Sequence, residues 1–291
     1  MISEKLGLEH QTLLRDRLKN AGSFLSEFSF ANLYLFREVH DYHVVTIPEG
    51  IFISGRAYDS RRFLMPAAEI RKEEADAVLR LLKEGEFIFP VPEEWLPAFD
   101  EKKVSFKSSE DDSDYIYTVE KLSTYQGQKL HGQKNLLNQF LSRYAPEARP
   151  LTQDRMDDAR KVLEAWQEDV GEEKPATDYF PCREAFERYD ELILCGGIYY
   201  VEGEAAGFII GEEVRPDMFT LHFAKGKRKF KGLYQYMDNH FTKILPKQYA
   251  FLNFEQDLGK LALRIAKSSY HPDKVLKKYR ILPLPKAGEP S

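Results

Sequence analysis

This sequence predicts an α/β fold (α+β in detail) of two similar units, each a mixed, mostly antiparallel sheet flanked by helices. Three observations carry that expectation. Short apolar runs are separated by Gly, Pro and Asp turns, the signature of strands in a meander. Runs with apolar residues at i, i+3, i+4 and i+7 follow them, the signature of helices resting on a sheet. The order meander, helix, strand, helix occurs once in each half without repetition of the sequence itself. Length agrees, since 291 residues exceed what one hydrophobic core usually serves.

In the first half, Tyr42–Ile47, Ile51–Gly55 and Phe63–Pro66 read as the meander, with turns at Pro48-Glu49-Gly50 and Asp59-Ser60. A helix over Ile70–Lys83 turns Val78, Leu81 and Leu82 inward, Glu86–Val91 is a strand, and Glu93–Phe99 a short helix. Ser109–Asp114 reads as a mobile acidic loop. Pro146 and Pro150 punctuate residues 144–151, so the boundary is expected there: a non-catalytic unit over 1–145 and a unit over 146–291 that holds the active site.

The second half is cleaner. Gly197–Val201, Ala205–Gly211 and Met218–Ala224 form a meander around a Glu202-Gly203-Glu204 turn and Pro216-Asp217. Leu233, Tyr236, Met237, His240, Phe241, Ile244 and Leu245 lie on one helical face, and Pro246 ends that helix. A strand over Tyr249–Phe254 follows, then a helix from Leu258 with Leu261, Ala262 and Ile265 on one face. A strand over Leu276–Leu282 closes the order.

The hydrophobic fraction of 43% is ample for a core, and a net charge of -5 argues against wholesale coating of nucleic acid, so any phosphate contact is local. Cys182 and Cys195 make no CxxC pair and no disulfide framework, which fits a reducing compartment and two buried small residues. The start, Met1-Ile-Ser-Glu-Lys-Leu-Gly, lacks a signal-peptide pattern, and Leu192–Val201 is too short for a bilayer. The chain is therefore expected to have no transmembrane segment and to stay in the cytoplasm. His40 and His43 show no HExxH or Cys/His spacing, so no metal is expected.

Function is expected where the Met218–Ala224 strand runs through Lys225-Gly-Lys-Arg-Lys-Phe-Lys-Gly232 into a helix. Five of the seven residues from Lys225 to Lys231 are cationic: Lys225, Lys227, Arg228, Lys229 and Lys231. A helix start adds its positive dipole end and Gly232 permits close backbone approach, a phosphate cradle in outline; a solvated turn gives the same letters. The loop is neither GxxxxGK[ST] nor GxGxxG. Lys129, His131 and Lys134 offer a second phosphate surface or a solvated first turn. Residues 260–280 hold seven Lys/Arg, Lys267 among them, against the single acid Asp273, enough for a basic stripe along a nucleic acid or the 3′-phosphate end of coenzyme A.

A sheet meander, a phosphate-cradling loop, a helix and a further strand resembles the GCN5-related N-acyltransferase core, in which the coenzyme A pyrophosphate lies on the loop after the fourth strand. More specific are Ser29-Phe-Ala-Asn-Leu-Tyr34, Leu122–Phe140, Gly207-Phe-Ile-Ile-Gly211, Asn253-Phe-Glu-Gln-Asp-Leu-Gly259, Lys267-Ser-Ser-Tyr-His-Pro272 and Lys278-Tyr279. On these residues the chain resembles the phosphatidylglycerol lysyltransferase C-terminal-domain-like family, of tandem acyltransferase folds akin to the Fem aminoacyltransferases, in its small soluble branch. The resemblance implies transfer of an aminoacyl group from aminoacyl-tRNA to an amine or hydroxyl.

Such transfer needs a proton acceptor and donors for the developing oxyanion. Asn253, Glu255 and Asp257 share one face if the strand stays extended, and Glu255 ranks first as base, with Asp257 as a helix cap the competing reading. Tyr270 is the candidate to protonate the leaving oxygen or sulfur, although a core tyrosine is the commoner case. His222 is read as structural. Three readings remain: an aminoacyl-tRNA-dependent transferase with a small-molecule, peptide or lipid-head-group acceptor, an acyl-coenzyme A N-acyltransferase, and a catalytically silent module that binds a phospho-ligand or a protein. No tightly bound cofactor is expected in any of them.

Overall fold

A computed structural model describes residues 2–48 and 50–285. Among these, 2–114 with 276–285 form one compact unit and 115–275 the other.

The first unit is a seven-stranded sheet with β1 (Ile2–Lys5), β2 (His43–Ile47), β3 (Gly50–Arg56), β4 (Arg62–Pro66), β5 (Phe87–Val91) and β6 (Val104–Ser108). The β2–β3–β4 meander lies where expected; its first turn includes Glu49, which lies outside the described residues. Strand β4 runs parallel to β5 through Phe63↔Phe87 and Leu64↔Ile88, a pairing that requires the crossover helix α4 (Lys72–Leu79). Helices α1 (Gln11–Asn20), α2 (Phe30–Leu35) and α3 (Arg37–His40) precede the meander. Leu14, Leu33, Ile53, Phe87, Ile88 and Val91 are buried in this unit.

The second unit repeats the plan, and its seven strands lie in the order β13-β7-β12-β11-β10-β9-β8. They are β7 (Asp114–Thr118), β8 (Pro146–Pro150), β9 (Cys195–Val201), β10 (Glu204–Arg215), β11 (Met218–Gly226), β12 (Phe251–Asn253) and β13 (Lys274–Leu276). Its helices are α5 (Val119–Thr124), α6 (His131–Arg143), α7 (Met156–Val170), α8 (Tyr179–Glu187), α9 (Leu233–Ile244) and α10 (Leu261–Ser268). Again one parallel pair, β11 with β12, is joined by a crossover helix, here α9. The chain then supplies β14 (Tyr279–Pro283) to the first sheet, between β5 and β6.

Four expectations change. The units divide at 114/115 and 275/276 rather than near 145, because β7 pairs with β12, and α5 and α6 pack on α9. The expected strand over Leu276–Leu282 is two strands in two sheets. Between them Lys278 is fully buried, its Nζ 2.7 Å from Glu27 and 2.7 Å from Asp114, while Asp114 also accepts from Ser26 N at 2.7 Å. Burial works against that ammonium, but Asp114 and Glu27 outweigh it and raise Lys278; burial lifts Glu27 to about 7 against the pull of Lys278. The acidic stretch 109–114 is accordingly anchored, with Asp114 fully buried and Asp112 3.2 Å from Arg280.

Third, α9 buries Leu233, Met237 and Phe241 as expected, but also Asp238, Asn239 and Thr242, since a second surface closes on it. Asn239 Nδ2 donates to the Leu122 and Ser123 carbonyls that end α5, both at 2.8 Å. Ile244 is left exposed instead. Fourth, α10 begins at Leu261, not Leu258, and none of its residues is buried.

Candidate active site

Strands β11 and β12 pair only through Met218↔Phe251, Phe219↔Leu252 and Thr220↔Asn253. Past Thr220, β11 keeps β10 on one side and, among the described residues, has no strand on the other, because the chain turns after Asn253. Asn253 Oδ1 accepts the Glu255 N–H at 2.6 Å, Glu255 takes a left-handed φ of 58°, and Phe254 N donates to Tyr115 O on β7 at 2.9 Å. The result is a wedge between the later half of β11 and residues 254–257.

The apex of the wedge carries a buried acid–imidazole cluster. A register shift between Ile210 and Gly211 leaves His222 as the extra residue on β11, the mark of a β-bulge, which redirects its side chain. His222 Nδ1 lies 2.8 Å from Glu255 Oε1 and Nε2 lies 2.9 Å from Glu212 Oε1. The His222 side chain is completely buried; Glu212 and Glu255 keep 15% and 13% of theirs exposed. Burial opposes the imidazolium, but the two carboxylate hydrogen bonds outweigh it and lift His222 to about 10. At neutral pH the ring is therefore a cation donating both N–H groups. One row across the sheet, Glu212, Thr220 and Asn253 are register neighbours on one face, and Thr220 Oγ1 is buried there without a hydrogen-bond partner.

The sign of the His222 shift gives a test of stability against pH. A folded value above the unfolded 6.5 means that this stabilisation is complete below pH 6.5 and is lost as pH rises through about 10. We expect the urea midpoint to fall between pH 7 and 10 in the wild type and to fall less in His222→Gln. Parallel urea titrations at both pH values check this, and equal slopes contradict it.

Of the residues expected at the site, Glu255 is in the wedge, whereas Asn253, Glu255 and Asp257 do not share one face. Extension stops at Asn253, so Glu255 turns to His222 while Asp257 turns to Tyr115 Oη (2.6 Å), Arg264 Nε (2.7 Å) and the Gly259 N–H (2.8 Å). Burial raises the Asp257 carboxyl, but Arg264 and Tyr115 outweigh it and leave it lowered. Asp257 is a structural anchor. Tyr270 is buried and bonded to Asp238 and Tyr125, and its hydroxyl is pushed well up by burial. Asp238 is itself lifted to about 7 by burial, against the Tyr270 hydrogen bond. Lys267 Nζ donates to the carbonyls of Glu255 (3.1 Å) and Gln256 (2.6 Å), so it holds the turn.

The basic loop differs most from expectation, for its groups are spent within the chain. Lys225 is buried, with Nζ 2.7 Å from both Asp178 oxygens and 3.8 Å above the Trp166 ring. Lys227 and Lys229 each reach Glu204 at 2.6 Å. The amides follow: Gly226 N donates to Tyr234 Oη, Lys227 N to Ala206 O, Phe230 N to Lys227 O and Leu233 N to Phe230 O. Arg228 N donates at 2.8 Å to the carboxylate of Asp169, where a phosphate oxygen would bind. Gly232, at φ 91°, packs against α6: a Cβ there would lie 2.5 Å from the Leu136 carbonyl oxygen. Its freedom serves helix packing rather than approach of a ligand. Arg228, Lys229 and Lys231 stay exposed, as does Lys134 on α6.

Glu212 and the bulged His222 escaped sequence reasoning as a pair. Their meeting depends on the β10–β11 register, and the one visible hint was a histidine inside an otherwise apolar strand.

The family model described as "Phosphatidylglycerol lysyltransferase, C-terminal" matches residues 19–282. An uncharacterised protein of Mycoplasmoides gallisepticum is 24% identical over 197 residues, 65% of this chain; the match spans 61% of that relative's length. The crystal structure of a protein of unknown function from Bacteroides thetaiotaomicron superposes with a TM-score of 0.85 at 26% identity, covering 98% of this chain and 100% of the other. L-PGS from Bacillus licheniformis, at 14% identity, gives 0.61 over 97% and 93% of the two chains, a likeness of fold. Among the described residues no helix is long and apolar enough to cross a membrane.

Proposed function

The chain belongs to the phosphatidylglycerol lysyltransferase C-terminal family, a family of acyltransferases, and from that premise we propose that its second unit transfers an aminoacyl group from aminoacyl-tRNA to an amine. The observation that carries the choice of donor is the state of the basic loop. Where coenzyme A would place its pyrophosphate, the amides of Gly226, Lys227, Arg228, Phe230 and Leu233 already donate within the chain, that of Arg228 to Asp169, and α6 packs on Gly232. The exposed cations Arg228 and Lys231 face outward instead, as a surface that follows a polynucleotide backbone does.

In this reading the ester carbonyl lies along β11 past its last pairing with β12, where main-chain N–H groups meet the developing oxyanion. The amine nitrogen attacks the carbonyl carbon and the ester C–O bond to the ribose breaks. Glu255, positioned by the His222 imidazolium, takes the proton lost by nitrogen, and that proton is then available to the departing ribose oxygen. His222 is a positioning residue, and Glu212 fixes its ring from the other side.

Binding tests the donor. We expect bulk aminoacyl-tRNA to raise the melting temperature at low salt and less at moderate salt. Arg228→Glu with Lys231→Glu should weaken tRNA binding about tenfold and flatten its salt dependence. Stabilisation by coenzyme A instead, unchanged by the double variant, would replace this donor with acyl-coenzyme A.

A further inference from the structure

The first unit holds a cavity of about 290 Å³ bounded by α1, the start of β3, and the connection from β4 into α4. Its floor is apolar, for Phe52, Ile70 and Val78 line it and are otherwise buried. Its rim is charged by Arg17, Glu69, Arg71 and Glu74. Two of these four are committed to each other. Arg71 Nε lies 2.9 Å from Glu74 Oε1, and Arg71 N donates at 3.1 Å to the same carboxylate. The Arg17 guanidinium and the Glu69 carboxylate have no hydrogen-bond or ion-pair partner among the described residues, and the main-chain N–H groups of Ala68, Glu69 and Ile70 find no acceptor among them. In the second unit the matching connection, from β11 into α9, spends its amides and lysines within the chain.

We propose that this cavity binds a free amino acid with an apolar side chain. The argument is one of charge and size. An apolar floor with one uncommitted cation and one uncommitted anion at its rim suits a zwitterion. The ligand carboxylate accepts from Arg17 and from the N–H groups of the loop, its ammonium donates to Glu69, and its side chain covers Phe52, Ile70 and Val78. A ligand with only a phosphate or carboxylate would set that anion against Glu69, and one with only an amine would meet Arg17. Size agrees, since the cavity lies just below the roughly 300–1,000 Å³ of sites for drug-sized molecules. The inference gives the first unit a binding role of its own. It does not rest on the donor assigned to the second unit, and the binding it describes needs neither tRNA nor Glu255.

The test is isothermal titration calorimetry of the full chain with L-leucine, L-methionine and L-phenylalanine, each beside its amide, which lacks the carboxylate, and its N-acetyl form, which lacks the ammonium. At least one amino acid should bind, and its two derivatives should bind at least about tenfold more weakly. Arg17→Gln and Glu69→Gln should each weaken that binding by about tenfold, whereas Glu255→Gln in the second unit should leave it unchanged. Arg17 and Glu69 are exposed, and an unchanged melting temperature of the ligand-free variants verifies the fold. Absence of binding by all three amino acids overturns the proposal, as does binding indifferent to both rim substitutions or lost in Glu255→Gln. Equal binding of the N-acetyl form overturns it too, since the cavity would then be a site for organic anions.

Discussion

Glu255→Gln is expected to lower aminoacyl transfer per folded molecule by about 10²–10³-fold. The substitution keeps volume and backbone, including the Asn253 hydrogen bond to the main-chain N–H of residue 255, which does not involve the carboxylate. It removes the group that accepts the amine's proton. It also removes one of the two anions that hold His222 charged, so the pH dependence of the remaining activity should shift as well. A merely structural glutamate predicts the opposite pattern: a fall in stability with turnover per folded molecule unchanged. Steady-state transfer rates beside melting curves separate the two, and Glu255→Asp should recover part of the rate.

The second large effect lies in the first unit. Lys278→Met is expected to destabilise that unit by about 3–5 kcal/mol, the cost of stranding buried carboxylates without their cation. Asp114 and Glu27 would remain 0% and 8% exposed, with Ser26 among the neighbouring donors. The loss reaches further because Lys278 stands directly before β14, the strand between β5 and β6. Denaturant unfolding should separate into two transitions with the first unit melting earlier. Adding Asp114→Asn and Glu27→Gln to Lys278→Met should recover stability, since neutral groups no longer demand the ammonium. A single unshifted transition in Lys278→Met would show that the cluster contributes little.

Much of the fold was legible because local patterns carried it. The β9–β10–β11 meander and the Leu233, Met237 and Phe241 face of α9 follow from periods of two and 3.6 that need no knowledge of partners. The partners were not legible. Asp114 meets Ser26 across 88 residues, and nothing near Lys278 in sequence announces that a lysine between two short strands is buried. The same limit governs the site. Glu255 was identifiable as an acid at a strand end. Its role with His222 depends on a bulge and a left-handed turn that alternation conceals. The basic loop misled because composition counts cations without counting Asp178 and Glu204, which come from elsewhere in the chain to pair with Lys225, Lys227 and Lys229. Helix α10 misled in the opposite sense. Its amphipathic pattern was correctly read, but a periodic pattern fixes which residues share a face and says nothing of which way that face turns.

Transfer from a charged donor tests the central claim most directly. The purified chain would be incubated with bulk tRNA carrying radiolabelled amino acids and a panel of small primary amines, and label would be followed from tRNA into amide product. The account predicts protein-dependent transfer that Glu255→Gln lowers by about 10²–10³-fold and that acetyl-coenzyme A neither supports nor inhibits. Acylation of the same amines from acetyl-coenzyme A, with the aminoacyl-tRNA left intact, would contradict it.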